Sequence, residues 1–539
     1  MSTVPRTFNM ADGWGMAADA VPEREALVVG EQRRTYAQLE ERANRLAHHL
    51  AHRGIGPGDH VALYLENCAE YVEAMLATWK LRAVAINVNH RYVAGELAYL
   101  LDNSDSVAVL TQPALLGTVE SVVGELDDVR FVLVTGDDYE AALAATSPER
   151  PVVPGRGDDD HYIMYTGGTT GMPKGVVWRH ADAFFACIGG GDPTRLEGPV
   201  ERPEELPGRI TDQPVCYLPV APLMHAAAQW TTLSWLFQGS KVVLMPGGPL
   251  DPDAVWRTIG AEAVNLLTVV GDAVARPLLD AWERAVAEGR PYDISSLFSL
   301  SNGGAPMAPA TRERIFATLP QLVVTDGFGS SEAGTQGAMR VEPGQQRGDA
   351  SLVRFDQPTK PTIVVGPDGR EVEPGSGQVG QVLAGGHLPL GYYNDPEKTA
   401  ATFVERDGRR WLITGDMATV TADGAIELLG RGSESINTGG EKVFPEEVEG
   451  VLKAHDDVYD CLVVGVPDER WGSAVTAVVQ PAPGASPTLE ALVAHCKASL
   501  AGYKAPKHLV VVDRIVRSPS GKADYRWARE VAEKAVTPA

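Results

Sequence analysis

The sequence predicts an α/β protein: a large N-terminal domain of parallel-rich sheets and helices, then a small α+β C-terminal domain. Three observations predict it. Between residues 35 and 88 helical periodicity alternates with short β-branched runs, the pattern of a parallel sheet covered on both faces. Residues 162–177, YIMYTGGTTGMPKGVV, read as a short buried strand, a loop dense in glycine and threonine, and a lysine at the far rim. At residues 429–434, LGRGSE, the pattern changes to a compact mixture of strands and helix that runs to the end. The expected division is residues 1–430, a boundary at 431–434, and residues 435–539.

The first helix is announced by Thr35 and Gln38, a capping-box pair, and carries Tyr36, Leu39, Ala43, Leu46 and Leu50 on one face before Gly54 stops it. A strand at 60–65, a helix at 69–80 and a strand at 83–88 follow. His48, His49 and His52 lie on the first helix without acidic or cysteine partners at metal spacing, which marks a solvated face.

In the loop after residue 165, Gly167, Gly168, Gly171 and Gly175 allow the backbone to approach a ligand closely. Thr166, Thr169 and Thr170 add hydroxyls, and Lys174 adds a cation. This is equipment for phosphates, with a solvated turn as the plain alternative. It is not the Walker loop, because Gly175 follows Lys174 where Ser or Thr would be needed.

Residues 189–208, rich in Gly, Pro and Glu, suggest a surface excursion. Residues 219–225, PVAPLMH, link a strand to a helix, and His225 there reads as a loop histidine, packed or facing a pocket. SLSNGGAP at 299–306 is a strand end entering a Gly-Gly turn, and TDGFGSSEAG at 325–334 is a second polar segment. The latter fails the hydrolase pattern GxSxG, since Glu332 and Ala333 follow Ser331. Residues 375–380 match GxGxxG but feed a strand, so they read as a turn. WLITGDM at 411–417 ends a strand with Asp416, a carboxylate able to accept both hydroxyls of a ribose.

In the C-terminal part, INTGGEKVFPEEVE gives a turn and a helix start at Pro445 with acids in its first turn. Strands near 461–466 and 474–479 and a helix near 489–500 follow, and SPSGKADYRW sets Lys522 on a loop.

Composition excludes other classes. A net charge of −24 argues against nucleic acid or an anionic membrane as main partner, so an anionic ligand needs a local positive site. The five scattered cysteines lack CxxC spacing and suggest reduced thiols in a cytoplasmic protein without a zinc framework. No basic segment followed by an apolar core opens the chain, and no apolar run is long enough to span a membrane.

The run TGGTTGMPKG resembles the phosphate loop of the adenylate-forming superfamily, the acyl-CoA synthetases, firefly-type luciferases and adenylation domains of peptide synthetases. Gly167 departs from the commonest form, which has Ser. The likeness spans about residues 26–522 with the motifs in order, and it implies ATP, Mg²⁺ and coenzyme A. It assigns the β- and γ-phosphates to Thr166, Gly167, Gly168, Thr169, Thr170, Gly171 and Lys174. The adenine falls to Gly303, Gly304 and Ala305 and to the segment Asp326, Gly327, Phe328, Gly329, Ser330 and Ser331, with Phe328 in the place of the usual Tyr. Glu332 is implied as the Mg²⁺ acid, Asp416 as the ribose ligand, Arg431 as a ribose or phosphate contact and Ser433 as the hinge. Gly439, Gly440 and Glu441 fall where the pantetheine tunnel runs, and Lys522 would be the catalytic lysine. The usual Arg shortly after that lysine is displaced to Arg526.

The resemblance makes the C-terminal domain mobile and the enzyme an ATP-dependent, AMP-forming acid–thiol ligase. His225 and Gly327 would face the acyl pocket, with Gly303 and residues 268–272 as further walls. The absence of an aspartate near residues 223–225 favours an apolar acid over an amino acid. The runs YTGGTTGMPKGV and GRGSESINTGGEKVFPEEVE look most like actinobacterial acyl-CoA synthetases for long-chain or steroid-side-chain acids. The alternative is a natural-product-pathway member performing one half-reaction, either thioesterification of a supplied acyl-adenylate or adenylation for a carrier protein. The oligomeric state, monomer or homodimer, stays open.

Overall fold

The computed structural model describes residues 6–166, 172–341, 353–355, 358–438, 441–468, 471–517 and 521–536. Two large sheets organise the N-terminal domain. One has seven strands, of which Val84–Asn87, His60–Tyr64, Ser106–Thr111, Phe131–Val134 and His161–Thr166 run parallel, with Lys174–Arg179 and Gly391–Tyr392 antiparallel at one edge. The other has eight strands, with a parallel centre of Glu25–Val29, Lys241–Leu244, Cys216–Pro219, Leu266–Val269, Ser299–Asn302 and Val323–Ser330. Antiparallel strands Gln32–Thr35 and Gly334–Val341 close its two edges.

The helix Ala69–Lys80 explains how the sheets share one core. It touches strands of both, and every one of its residues is buried. Two of its charged residues are paired internally: Glu73 accepts from Arg42 at 2.6 Å and from the Tyr139 hydroxyl at 2.7 Å, and Lys80 donates to Glu40 at 2.8 Å. The capping box forms as expected, with Gln38 N donating to Thr35 Oγ1 at 3.2 Å and Thr35 N to Gln38 Oε1 at 2.9 Å. The helix it opens runs Tyr36–His52.

An antiparallel sheet of six strands follows, including Val353–Phe355, Thr362–Val365, Gly380–Ala384, Arg409–Val420 and Ile426–Arg431. The smaller C-terminal domain contains the ribbon Ile436–Thr438 with Glu441–Val443, and a sheet of Val458–Asp468, Gly472–Pro481 and His508–Val511. The helices Pro445–Leu452, Leu489–Ser499 and Tyr525–Val536 cover that sheet.

One expectation is refined and one corrected. The segment 189–208 runs largely over the surface as expected, with Leu196 86% exposed, but it is anchored: Gly190, Gly191, Asp192, Val200 and Leu206 are buried, and the turn Pro203–Arg209 that carries Leu206 packs on the helix Met10–Ala20. The strand around Asp416 does not end there but continues to Val420, a bend being absorbed by Gly415 at φ +81° and a register shift after Met417.

Candidate functional site

Of the expected site residues, Lys174, Glu332, Asp416, Arg431 and Lys522 are brought near one another: Lys174 and Glu332 share Tyr392, Asp416 pairs with Arg431, and Lys522 feels the charges of both Arg431 and Glu332. Thr166 and Lys174 face each other across the ladder that flanks the glycine-threonine loop. The Lys174 ammonium lies 3.3 Å from Asp395 Oδ2 and 5.8 Å from the centre of the Tyr392 ring. Gly167, Gly168, Thr169, Thr170 and Gly171 lie outside the described residues, as do Gly439 and Gly440.

The segment 330–334 turns between the strands Val323–Ser330 and Gly334–Val341 and is held from several sides. Trp178 Nε1 donates to Ser331 O at 3.0 Å, and Ala333 N donates to Ser330 Oγ at 3.1 Å. Gly334 has φ +69°, and a Cβ there would fall 2.6 Å from Ala186 O, so only glycine fits. Glu332 is thereby placed with one oxygen accepting from the Tyr392 hydroxyl at 3.0 Å. Phe328 is half-buried and packs at 5.1 Å against Phe355.

Gly303 and Gly327 sit at the ends of adjacent strands. A Cβ at Gly303 would meet nothing within 4 Å, and one at Gly327 would meet only Asn302 O at 3.4 Å. Asn302 ties this corner together: its Oδ1 accepts from Gly271 N at 2.7 Å, and its Nδ2 donates to Ala305 O at 3.1 Å and to Asp326 Oδ1 at 3.0 Å. Asp326 is buried, its carboxyl pushed up by burial and opposed by Arg312 at 2.8 Å. Gly304, at φ +82°, makes the turn after Asn302.

His225 stands at the N-cap of the helix Ala226–Phe237, half-buried, with Ala227 exposed two residues on. Residue 272, read as a pocket wall from the sequence, is elsewhere. Asp272 is buried, accepts from Ala308 N at 3.0 Å and lies 3.5 Å from Lys453 of the C-terminal domain. Its carboxylate belongs to the contact between domains because it starts the helix Gly271–Ala287 on which Lys453 and Tyr459 dock.

Asp416 and Arg431 are register partners on adjacent strands, 3.1 Å apart. Asp416 is buried, and its Oδ2 has no hydrogen-bond partner among the described residues. Burial raises its carboxyl above the ordinary range, Arg431 works against this, and Glu332 adds to it. An orphaned acceptor of this kind fits a diol. Ser433 lies exposed on the short helical turn Gly432–Glu434, and Glu441 is exposed opposite Thr438.

Lys522 reaches the same corner from the C-terminal domain. The preceding Gly521, at φ +77°, is packed so that a Cβ would sit 3.4 Å from Val270 and 3.6 Å from Ala273 of the large domain. The Lys522 side chain stays accessible to solvent yet lies in the cleft, where crowding by protein lowers its pKa, Arg431 lowers it further and Glu332 raises it. Arg526, the displaced arginine, points away from this: it is exposed and pairs with Glu530 at 3.3 Å.

No group of three or more His, Cys, Asp or Glu residues able to hold a metal occurs among the described residues. Glu332 as a single carboxylate suits Mg²⁺, which is commonly held by one or two carboxylates together with substrate phosphates. No helix among the described residues is long and apolar enough to cross a membrane.

Sequence reasoning missed Asn302, Tyr392 and Asp395. The first sits within a segment singled out for its glycines, and the other two lie in GYYND, where no spacing pattern marks them.

Comparison with known proteins bears directly on this arrangement. Residues 16–393 match the model of the AMP-binding enzyme family, and residues 447–522 that of the AMP-binding enzyme C-terminal domain. The chain is 47% identical to a medium/long-chain-fatty-acid–CoA/3-oxocholest-4-en-26-oate–CoA ligase of Mycolicibacterium smegmatis, over 98% of this chain and 97% of that one. It is also 47% identical to a 3-oxocholest-4-en-26-oate–CoA ligase of Rhodococcus rhodochrous, over 97% and 96% of the two chains. Among solved structures, an anthranilate CoA ligase in complex with anthranoyl-AMP shares the fold at a TM-score of 0.84 and 22% identity, covering 99% of each chain. A Mycobacterium tuberculosis fatty acyl CoA synthetase aligns at a TM-score of 0.71 and 27% identity, over 98% of this chain and 99% of that one.

Proposed function

The chain belongs to the AMP-binding enzyme family, and from that premise we propose that it is an acyl-CoA ligase for a large, apolar carboxylic acid, fatty or polycyclic. One observation carries the size of the acid: at the mouth of the parallel sheet, Gly303 leaves open space, Gly327 presents no side chain beside it, and Ala227 is uncovered beside His225. The relatives' names, a fatty acid and a steroid acid, support the same reading.

The enzyme is an ATP-dependent, AMP-forming ligase. In the proposed first half-reaction the acid's carboxylate attacks the α-phosphate of ATP, and pyrophosphate leaves. Two anions must be held together, so cations and donors aimed at the developing charge supply most of the acceleration. Lys522 would lie between carboxylate and α-phosphate, Lys174 and the loop beside it would hold the outer phosphates, and Asp416 would accept the ribose hydroxyls with its free oxygen. Phe328 would take the adenine on its remaining face. Glu332, oriented by Tyr392, would hold Mg²⁺, which supplies charge neutralisation on the phosphates when bound.

In the second half-reaction the coenzyme A thiol attacks the acyl-adenylate carbonyl and AMP departs. Lys522 must withdraw so that the segment beside Glu441 can face the site, which makes residues 431–434 the hinge and Ser433 its pivot. The five cysteines, none in a disulfide, support a cytoplasmic setting.

Incubating the pure protein with Mg²⁺, ATP, coenzyme A and a panel of fatty, aryl, steroid and terpenoid acids tests the reading by mass spectrometry. AMP and thioester in equal amounts from a long-chain or steroid acid are expected, and turnover confined to small aryl acids would refute the large pocket. Sedimentation of the same preparation decides between monomer and homodimer. Lys522→Ala should slow adenylation on the order of 10²–10³-fold while thioester still forms from a synthetic acyl-adenylate. Ser433→Pro should do the reverse, sparing pyrophosphate release and stopping thioester formation, and equal loss of both steps would remove the hinge from this residue.

A further inference from the structure

Beside the turn that carries Glu332 lies a cavity of about 140 Å³ that the proposed chemistry does not use. Phe185, Arg195, Thr335, Lys360 and His387 contribute to its walls. Arg195 is held in the left-handed region at φ 58°, uncommon for a residue with a side chain. Asp192 fixes it there. One oxygen of that carboxylate accepts from Thr194 N, Thr194 Oγ1 and Arg195 N, and the other accepts from Glu197 N at 2.8 Å and Gly198 N at 2.9 Å. The acid nearest in charge to Arg195 is thus spent on the backbone, and the Arg195 guanidinium makes no hydrogen bond or ion pair with any other described residue.

Lys360 faces the same cavity. Its ammonium donates to His387 O at 3.1 Å and to the carbonyl of Ala333, the residue after Glu332, and a further proton remains. The His387 ring stacks at 4.8 Å on Phe185 and is bonded at 2.7 Å to Asp182, whose other oxygen accepts from Arg179 at 2.7 Å. No carboxylate among the described residues lines the cavity, although the chain as a whole carries a charge of −24. Burial lowers the Lys360 ammonium to about 8, with the Arg195 charge adding to this and Cys187 and Asp182 opposing it.

We propose that this cavity is a binding site for a small oxyanion, a phosphate or carboxylate group, held between the Arg195 guanidinium and the Lys360 ammonium with the Thr335 hydroxyl as a third donor. A guanidinium fork and an ammonium are the donors that charge-assisted oxyanion recognition uses, and the volume admits a group of that size. Such an anion would also touch the catalytic segment through Lys360 and the carbonyl of Ala333. The site is independent of the acid the enzyme activates.

The test is calorimetric titration of sodium phosphate, and separately sodium acetate, into the full chain at constant ionic strength. Mg²⁺ and a non-hydrolysable ATP analogue are present throughout, so that the nucleotide site is filled. Saturable binding of at least one anion is expected, weakened about tenfold or more in Arg195→Gln and by less in Arg195→Lys, with affinity for the ATP analogue unchanged in both. Saturation by phosphate alone would assign a phosphoryl ligand, and saturation by acetate alone a carboxylate. Equal anion affinity in wild type and Arg195→Gln, or no saturable heat from either anion, would overturn the proposal. Unchanged binding of the ATP analogue in the variants shows that they are folded.

Discussion

Two carboxylates with cationic partners, Glu40 in the main core and Asp416 in the cleft, are both buried and have opposite fates. Glu40 is saturated: Lys80 donates to both of its oxygens, Arg150 to one, and Trp14 Nε1 to the other at 2.6 Å. Burial pushes its carboxyl up, but Lys80 and Arg150 outweigh this and pull it down to about 2. Asp416 has one cation on one oxygen and nothing on the other, and its carboxyl is raised. A buried charge with every lone pair taken is a structural device, whereas one with an acceptor left over is prepared for a partner that is not part of the chain.

The largest effect expected from this contrast is on stability. Glu40→Ala leaves Lys80 buried without its counter-ion and should cost about 3–5 kcal/mol in urea unfolding. Because the folded pKa of Glu40 is depressed, its contribution is complete above pH 4.5 and lost as the pH falls toward 2, and the variant should lack that acid-sensitive component. A change in stability below about 1 kcal/mol would erase the distinction from its structural side.

Asp416→Ala should do the opposite. Loss of a hydrogen-bonded charge is worth about 1.5–3 kcal/mol, so the KM for ATP should rise roughly 10- to 100-fold while the urea midpoint hardly moves. Activity on a 2′,3′-dideoxy analogue of ATP sharpens the test: wild type should lose on that analogue what the variant loses on ATP, and a variant still sensitive to the missing hydroxyls would show that another group reads the ribose.

The smallest effect lies between these extremes, beside the proposed hinge. Glu446 is pushed up to about 8, first by burial and then by the Glu449 charge, and it packs against Gly430. A carboxyl with a raised folded pKa binds its proton more tightly when folded, so stability falls as the pH rises from 4.5 to 8 and levels off above. For this half-buried group about 1 kcal/mol is expected. Glu446→Gln should flatten the dependence across that interval, and an unchanged slope would assign it to another group.

Parts of this site were legible in the sequence because chemistry was written in local runs. The loop after Thr166, the turn at Gly303, the Glu332 segment, Asp416 and Lys522 each stand in a short motif whose residue types suggest the use proposed for them. Asp272 misled, since a polar residue at a strand end looks the same whether it faces a ligand or the Lys453 ammonium 3.5 Å away. The segment 189–208 was legible as a surface run from its Gly and Pro content, but not its anchors, since Val200 and Leu206 join the main core only after folding. Tyr392 was invisible, being 60 residues from the Glu332 oxygen that it holds.

The sequence by itself determined the alternation of strands and helices, the capping of the helix Tyr36–His52, the change of pattern near residue 430 and the order of the motifs around Lys174, Gly303, Glu332, Asp416 and Lys522. These depend on periodicity and on neighbours a few residues apart, which a linear chain records directly. Only the tertiary structure decided which buried charges are saturated, that Gly521 packs against Val270 and brings Lys522 into the cleft, and that Arg195 and Lys360 share one cavity. Hydrogen-bond saturation and desolvation depend on which atoms meet after folding, and the partners that set them here lie tens to hundreds of residues apart along the chain.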